Sequence, residues 1–220
     1  FTASARPCPG GPGLRSGHTA EHFSSYRYAS EQTPAGIVGA RVLDPDGRVQ
    51  RSARRFPTPL TGLFGRTSLM TRLWPGNPLS RRDLPADEQT DGPLAVDWVA
   101  GSCLMVRREA FDRVRGLDEG FFLYWEDADF CLRVRDAGWR TVYCPAATVT
   151  HGVGASSRHA GTRSIRAFHE SAVRYFEKHN AGRFGFVSMP LVRAALAGRL
   201  AFKLAAHRLS ARGREGDPRP

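Results

Sequence analysis

The first regular pattern in the chain is a stretch at residues 36–43 that is apolar except for Arg41, and it predicts a buried strand. The sequence DPDG at 44–47 follows it, with Asp first and Gly last, as a β-turn prefers. Alternating apolar and polar positions at 48–56 then predict a returning strand, which completes a β-hairpin. Asp44 and Asp46 look like an acidic metal-binding pair, but the neighbouring Pro and Gly favour turn chemistry.

Residues 96–106 predict a further strand that is bent or bulged at Gly101 and Ser102. Glycine inside a strand lets a ligand approach the backbone closely. A simple β-bulge explains the presence of Gly101 equally well. A short helix at 107–114 follows and ends at Gly116.

The stretch from Gly116 to Gly138 holds the densest acidic cluster of the chain, set among large apolar side chains. Residues 126–137 predict a helix, because acids fill its first turn at the positive end of the helix dipole and the final glycine can end it. Carboxylates against apolar groups have raised pKa values, which suit acid/base catalysis, whereas the alternative is that they only cap the helix. Adjacent helical residues point about 100° apart, so only one of Glu126 and Asp127 faces a site.

The sequence after this helix predicts a strand at 139–145, closed by Pro145, and a short extended piece at 149–151. His151 lies between that piece and a loop rich in Gly and Ser. Such a position often binds ligands in α/β proteins, although a lone histidine is more often structural.

Two amphipathic helices follow. One is capped by Thr162 or Ser164 and runs through about His179, and the second occupies 184–210, beginning around Pro190. The second carries basic residues at helical spacing: Arg199, Lys203 and His207. A basic amphipathic helix of this kind lies either on an anionic membrane or against its own domain.

Composition narrows the class of protein. A chain of 220 residues with 41% apolar and 24% charged residues is ordinary for one soluble core. The net charge of +11 comes almost wholly from arginine. Such a charge favours binding to phosphate groups, but it does not indicate whether they belong to nucleotides, nucleic acid or lipid. The four cysteines form no C-x-x-C pair, so neither a zinc site nor a disulfide framework is expected. This cysteine usage fits a protein of the reducing cytoplasm. No signal peptide and no membrane span are expected either.

Three segments follow from these patterns. Residues 1–34 are rich in Gly, Pro, Ser and Arg, and they predict a disordered segment or one atypical of the fold. Residues 35–180 form the folded portion, including a long loop at 57–92 with a short helix near 60–73. Residues 181–220 form the basic amphipathic helix and a tail.

Residues 97–156, DWVAGSCLMVRREAFDRVRGLDEGFFLYWEDADFCLRVRDAGWRTVYCPAATVTHGVGAS, closely resemble family 2 glycosyltransferases of the GT-A fold. The likeness is greatest to the bacterial rhamnosyltransferase-like branch, which builds cell-wall and O-antigen polysaccharides. ARVLDPDGRVQRSARRFP at 40–57 and HESAVRYFEKHN at 169–180 fit the same branch. The resemblance implies an α/β, GT-A-like fold and the transfer, with inversion, of a sugar such as rhamnose. The donor would be a nucleotide diphosphate sugar, and the acceptor a hydroxyl of a glycan or lipid-linked saccharide.

The resemblance also assigns roles to residues. Asp127, in the W-[ED]-D-x-[DE] motif, would be the catalytic base, with Glu126 and Asp129 orienting the acceptor or holding the helix. His151 would help to bind a divalent cation, Mn²⁺ or Mg²⁺, on the diphosphate. The remaining substrate-binding residues would be Trp98, Gly101, Ser102 and Trp125.

The family places a nucleotide-binding half, with an acidic D-x-D that holds the metal, before the hairpin. Nothing in residues 1–34 matches that half, so the sequence is expected to hold the C-terminal portion of such an enzyme, with the N-terminal nucleotide-binding half missing. The alternative is a non-catalytic basic fragment that binds a membrane surface or a polyanion. The expected location is the cytoplasm at the inner face of the cell membrane, with peripheral contact through 184–212 and no nucleic-acid partner, because no nucleic-acid motif accompanies the charge.

Overall fold

The computed structural model describes residues 34–58, 92–152, 161–180 and 185–215. Its strands are β1 (Ala35–Leu43), β2 (Val49–Gln50), β3 (Ala53–Arg54), β4 (Leu94–Val96), β5 (Trp98–Val99), β6 (Leu104–Val106) and β7 (Arg140–Thr150). Its helices are α1 (Arg108–Arg113), α2 (Glu126–Asp136), α3 (Gly161–His179) and α4 (Gly185–Glu215). The predictions for residues 1–33, for the loop and short helix within 59–91 and for the Gly/Ser loop at 153–160 lie outside the described residues.

A mixed sheet forms the centre of the fold, which confirms the predicted α/β class. β1 and β7 are its two central strands and run parallel to each other. β1 also pairs antiparallel with β2 and β6, and β7 pairs antiparallel with β4. The first six residues of β1 are all buried. On one face of the sheet Ile37 packs in an apolar cluster with residues of α1 and α2, as expected for a strand covered by helices.

The hairpin prediction is confirmed at its turn and corrected beyond it. The Gly47 amide donates to the Asp44 carbonyl at 2.9 Å, and Gly47 has φ +83°, which favours glycine. β2 then pairs with β1 as expected. The returning strand predicted at 48–56 is broken after β2, because β3 leaves this sheet and pairs with β5 in a separate two-stranded sheet.

The single bent strand predicted at 96–106 is wrong. The segment holds the last residue of β4, together with all of β5 and β6, and these strands pair with β7, β3 and β1 respectively. Asp97 separates the first two, and its Oδ2 accepts a hydrogen bond from the Phe56 amide at 2.8 Å. Gly101 and Ser102 form a turn between the second and the third.

The strand predicted to close at Pro145 continues instead to Thr150. Pairing between β1 and β7 shifts at this point, since Ala40 lies opposite Cys144 and the next residue, Arg41, lies opposite Thr148. Proline lacks an amide hydrogen, and an irregular stretch of the ladder does not require one. The predicted strand and the extended piece at 149–151 are therefore one element.

The predictions for α1 and α2 are confirmed to within one or two residues. α2 ends just before Gly138, which has φ +94°, and its buried face includes Phe130 and Val134. Of the three cysteines described, Cys131 and Cys144 are buried and Cys103 is half-buried.

α3 and α4 pack against each other beside α2. α4 begins at Gly185, earlier than the predicted start at Pro190, which lies inside its second turn. Val192 and Leu196 of α4 are buried in an apolar cluster with residues of α2 and α3. Among the described residues, no helix combines the length and apolar character that crossing a bilayer requires.

The predicted basic stripe of α4 lies on its packed side. The Arg199 guanidinium carbon is 5.7 Å from the centre of the Phe168 ring of α3. His207 lies beside Gly161, since a side-chain carbon there would come within 2.9 Å of the His207 Nε2 atom. Lys203, between them on the same face, is half-buried. Of the two alternatives for this stripe, the structure therefore supports packing on its own domain.

Candidate active site

The carboxylate of Asp127 lies at the N-terminus of α2, against the turn that follows β5. Its Oδ2 accepts a hydrogen bond from the Gly101 amide at 2.9 Å, and its Oδ1 accepts one from the Ala128 amide at 2.8 Å. Both donors are backbone amides, and the helix dipole also favours negative charge at this end. The carboxylate is thus fixed in one orientation by groups that do not themselves titrate.

Burial raises the pKa of Asp127 above its usual value. The two amides and the positive charge of Arg54 oppose this shift without cancelling it. A carboxylate that is costly to keep ionised takes up a proton more readily than one in water. Asp127 is therefore suited to act as a general base toward a bound hydroxyl.

Gly101 contributes its amide rather than its lack of a side chain. A carbon added there would lie 3.6 Å from the Asp127 Cβ, an ordinary van der Waals contact. The turn is held from the other side, because the Ala100 amide donates to the Ser52 carbonyl at 2.8 Å. Ser102 is exposed beside it. The group that approaches the Gly101 backbone is thus the carboxylate of Asp127.

The guanidinium of Arg54 lies over the ring of Trp98, and the sequence does not predict this neighbour. Arg54 of β3 pairs with Trp98 of β5, and its guanidinium carbon lies 5.1 Å from the centre of the indole ring. The Trp98 Nε1 atom donates to the Arg55 carbonyl at 2.9 Å, which fixes the ring. Arg54 is exposed and its charge acts on Asp127. Only the pairing of β3 with β5 reveals this neighbour, because the two strands lie far apart in sequence.

Glu126 has a buried carboxylate oxygen, Oε2, with no hydrogen-bond partner in the described part of the chain. Burial raises the pKa of Glu126, and the nearby charge of Asp127 raises it further. Buried polar atoms in folded proteins nearly always have partners. An acceptor atom without one, beside the candidate base, points to a donor supplied by a ligand.

Trp125 lies behind the candidate base, against α3. Its ring centre is 5.6 Å from that of Phe168, 5.2 Å from Tyr175 and 5.5 Å from Phe176. Both Trp125 and the preceding Tyr124 have positive φ, 69° and 66°. This left-handed turn directs the indole toward α3. Its Nε1 atom is buried without a partner among the residues that the structure describes.

Asp129 is fully buried on the side of α2 that faces the end of α3. Its carboxylate accepts hydrogen bonds from three side chains: Arg133 Nε at 2.8 Å, Lys178 Nζ at 2.7 Å and His179 Nε2 at 2.7 Å. Burial by itself raises the pKa of Asp129, but the three donors together hold it below its usual value. Of the two roles expected for this residue, holding the helix is the one these contacts support.

His151 is exposed at the end of β7, next to the hairpin. Its amide donates to the Leu43 carbonyl at 2.9 Å, and its carbonyl accepts from Gln50 Nε2 at 2.7 Å. The same Gln50 nitrogen bonds Asp44 Oδ1 at 2.8 Å, so His151 and Asp44 lie at the ends of neighbouring parallel strands. Two side chains, His151 and Asp44, are too few ligands for a cation site. The described residues contain no group of three His, Cys, Asp or Glu side chains that could hold a metal ion. These residues alone do not fit a divalent cation.

Comparison with known proteins agrees with the resemblance noted in the sequence. Residues 80–202, more than half of the chain, match the sequence model of the family described as glycosyl transferase family group 2. The matched region includes Trp98, Gly101, Asp127 and His151.

Several characterised proteins are similar over part of their length. An N-acetylglucosaminyl-diphospho-decaprenol L-rhamnosyltransferase of Mycobacterium tuberculosis is 36% identical over 154 residues, covering 70% of this chain and 49% of that protein. Rhamnosyltransferase WbbL of Escherichia coli is 41% identical over 83 residues, or 38% of this chain and 31% of that protein. A low-salt glycan biosynthesis hexosyltransferase of Haloferax volcanii, Agl10, is 28% identical over 121 residues, 55% and 34% of the two chains. The matches span half the length of these relatives or less.

Proposed function

Because the chain belongs to glycosyl transferase family group 2, we propose that it takes part in transferring a sugar, with inversion, from a nucleotide diphosphate donor to an acceptor hydroxyl. The observation that carries this proposal is the Asp127 carboxylate, which is partly buried, has a raised pKa and is oriented by the Gly101 amide. A non-catalytic role as a basic fragment gains no support from the family match.

In the proposed reaction Asp127 accepts the proton of the acceptor hydroxyl as its oxygen attacks the anomeric carbon. The bond from that carbon to the diphosphate oxygen breaks, and the nucleotide diphosphate leaves with the electron pair. Trp98, Gly101 and Ser102 form the adjoining wall, with Trp125 supporting the base from behind.

We assign Glu126 to the acceptor, because its buried Oε2 lacks a donor within the described residues. A second hydroxyl of the acceptor sugar would fill that place. Glu126→Gln replaces this charged acceptor by a neutral amide. It is expected to lower kcat/KM for the acceptor by roughly 10–100-fold, the range for a hydrogen bond to a charged group. KM for the donor should not change.

Steady-state kinetics with each substrate varied in turn test this assignment. Glu109→Gln, at an exposed acid of α1, is the control and should match the unaltered protein. An equal rise in both KM values in Glu126→Gln would show that Glu126 does not distinguish acceptor from donor.

Family resemblance supports dependence on a divalent cation, Mn²⁺ or Mg²⁺, with His151 as one ligand. Such a cation, when bound, supplies positive charge next to a diphosphate. Imidazole suits Mn²⁺ better than Mg²⁺. Its other ligands would come from outside the described residues.

Chelation with EDTA is expected to abolish transfer, and added Mn²⁺ to restore it. His151→Ala should raise the Mn²⁺ concentration needed for half-maximal rate by roughly tenfold or more, since even indirect supports of a metal site are worth 10–100-fold in affinity. Arg48→Ala, an exposed change on the same hairpin, serves as the control. Full activity in EDTA would exclude the cation.

The names of the relatives support a rhamnosyl donor and an acceptor that is a lipid-linked saccharide or growing glycan of a cell-wall polysaccharide. Such an acceptor would place the protein in the cytoplasm at the inner face of the cell membrane, with residues 184–212 in peripheral contact. The test is incubation of the protein with a panel of nucleotide diphosphate sugars and an N-acetylglucosaminyl-diphospho-polyprenol. A product formed from the rhamnosyl donor alone, and absent with Asp127→Asn, is the expected result. A product that persists in Asp127→Asn would overturn the proposal.

A further inference from the structure

α4 presents large apolar side chains to solvent on the face opposite α3. Leu191, Phe202 and Leu209 are 68%, 67% and 69% exposed. They are separated by eleven and seven residues, which at about 100° per residue brings each back to within roughly 20° of the first. They therefore lie in one line along the helix.

The positions between them on the same face are all small and apolar. They are Ala194, Gly198, Ala201 and Ala205, each of them exposed. We call these four residues, with Leu191, Phe202 and Leu209, the outer stripe of α4. From Leu191 to Leu209 the stripe is about 27 Å long, at roughly 1.5 Å per residue. A continuous apolar strip of this length on a protein surface marks an interaction site.

The charge of α4 limits what covers this stripe. The helix contains six arginine and lysine residues and no acidic residue before its last, Glu215, and the whole chain carries a net charge of +11. A second copy of the chain would bring two strongly basic proteins together, and like charges oppose association. A partner with negative charge and an apolar interior suits both features.

We infer that the outer stripe of α4 docks on an anionic lipid surface, with Phe202, Leu191 and Leu209 inserted at the boundary between headgroups and acyl chains. Helices of this kind lie in the membrane interface with the apolar face buried and basic residues at its margin. Arg208, exposed near the edge of the stripe, is placed to meet lipid phosphates. The basic residues on the packed side, such as Arg199, are not the contact.

This inference deepens the proposed contact of residues 184–212 with the membrane, and its benefit to transfer rests on a lipid-linked acceptor. Docking through the stripe would leave α3 and the candidate active site attached on the opposite side of α4. The enzyme would then meet an acceptor whose lipid lies in the same membrane.

Co-sedimentation with phosphatidylcholine vesicles, with and without phosphatidylglycerol, tests the docking. The intact protein should bind the anionic vesicles, and high salt should weaken the binding. The double variant Phe202→Ala/Leu209→Ala should bind at least roughly tenfold more weakly, because it removes apolar groups that gain from leaving water. The control Leu117→Ala/Phe122→Ala removes the same residue types at exposed positions outside α4, and should bind as the unaltered protein does.

Three results would overturn the inference. They are no binding of the unaltered protein to anionic vesicles, equal binding by the Phe202→Ala/Leu209→Ala variant, and a dimer in sedimentation equilibrium that this variant abolishes while vesicle binding is absent. Circular dichroism melts check that the variants are folded. Transfer to a water-soluble acceptor without lipid separates the two proposals. If vesicle binding follows the stripe while no donor is used, the proposed function fails and the docking stands.

Discussion

Replacing Asp127 by asparagine is expected to lower the transfer rate by roughly 10²–10⁴-fold, the usual contribution of a general base. Asparagine keeps the shape of the side chain, and its amide oxygen can still accept the Gly101 hydrogen bond, but it cannot take up the acceptor proton. In the unaltered protein the rate should rise with pH as Asp127 loses its proton. The midpoint should lie above the usual range of an aspartate, because burial raises the pKa of Asp127.

The stability of Asp127→Asn separates a catalytic from a structural role. A carboxyl whose pKa is higher in the folded than in the unfolded protein opposes folding when ionised. That penalty is fully present above the folded pKa and vanishes as pH falls below the unfolded one. At neutral pH asparagine removes this penalty but also loses the hydrogen bond from the Ala128 amide, so the Tm of the variant should change little.

Asp136→Asn is the matched control, because it removes an exposed carboxylate at the other end of α2. It should leave both rate and Tm unchanged. A fall in Tm that accompanies the loss of activity in Asp127→Asn would instead assign Asp127 to the scaffold.

Replacing Asp129 by asparagine is expected to destabilise the protein by about 3–5 kcal/mol, the usual result of removing one partner of a buried ion pair. The change removes the buried carboxylate that Arg133, Lys178 and His179 share as a hydrogen-bond acceptor, although Lys178 keeps its contact with Asp118. Urea unfolding should show a lower midpoint with an unchanged slope. Asp112→Asn, which removes an exposed partner of Arg108, should give no measurable change.

The pH dependence of stability provides an independent check on Asp129. Its pKa is lower in the folded protein than usual, so its contribution is present above the unfolded pKa and is lost as pH falls through the folded one. The unaltered protein should lose stability below about pH 4, and Asp129→Asn should lose less over the same range. Parallel pH curves for the two proteins would show that the three hydrogen-bond donors do not stabilise the ionised form of Asp129.

Local signals were enough to predict much of the fold. The turn at Gly47 and the helix end at Gly138 depend on the backbone freedom of a single residue, which the sequence displays directly. α2 and α3 are predictable because the acids of α2 and the apolar spacing of both helices act within one or two turns. The predicted caps of α3, Thr162 and Ser164, lie inside the helix instead, which begins at Gly161.

Strand pairing was the part that sequence alone could not supply. The segment 96–106 predicts one strand bent at Gly101 and Ser102, yet its pieces pair with β7, β3 and β1, which are distant in sequence. Pro145 ends most strands, but it is tolerated where the ladder between β1 and β7 shifts register. Both outcomes depend on partners that a local pattern does not specify.

In the candidate active site, too, individual residues were predictable from the sequence, whereas the contacts between them were not. Asp127 and Gly101 were each singled out, but their hydrogen bond joins residues 26 positions apart. Arg54 was missed because it reaches Trp98 only through the pairing of β3 with β5. The direction of Trp125 follows from a left-handed backbone that aromatic residues rarely adopt, and no sequence rule anticipates it.

The left-handed pair Tyr124 and Trp125 makes the position of the base conditional on α3. Non-glycine residues in this conformation cost about 1–3 kcal/mol each and persist only when their surroundings impose it. Here α3 imposes it, through the aromatic contacts of Trp125 and a 2.9 Å hydrogen bond from Ser171 Oγ to the Leu123 carbonyl. Loosening α3 would release the pair and move Asp127 off the Gly101 amide. The docking of α3 and the position of the base are thus thermodynamically coupled, and each favours the other by the same coupling free energy.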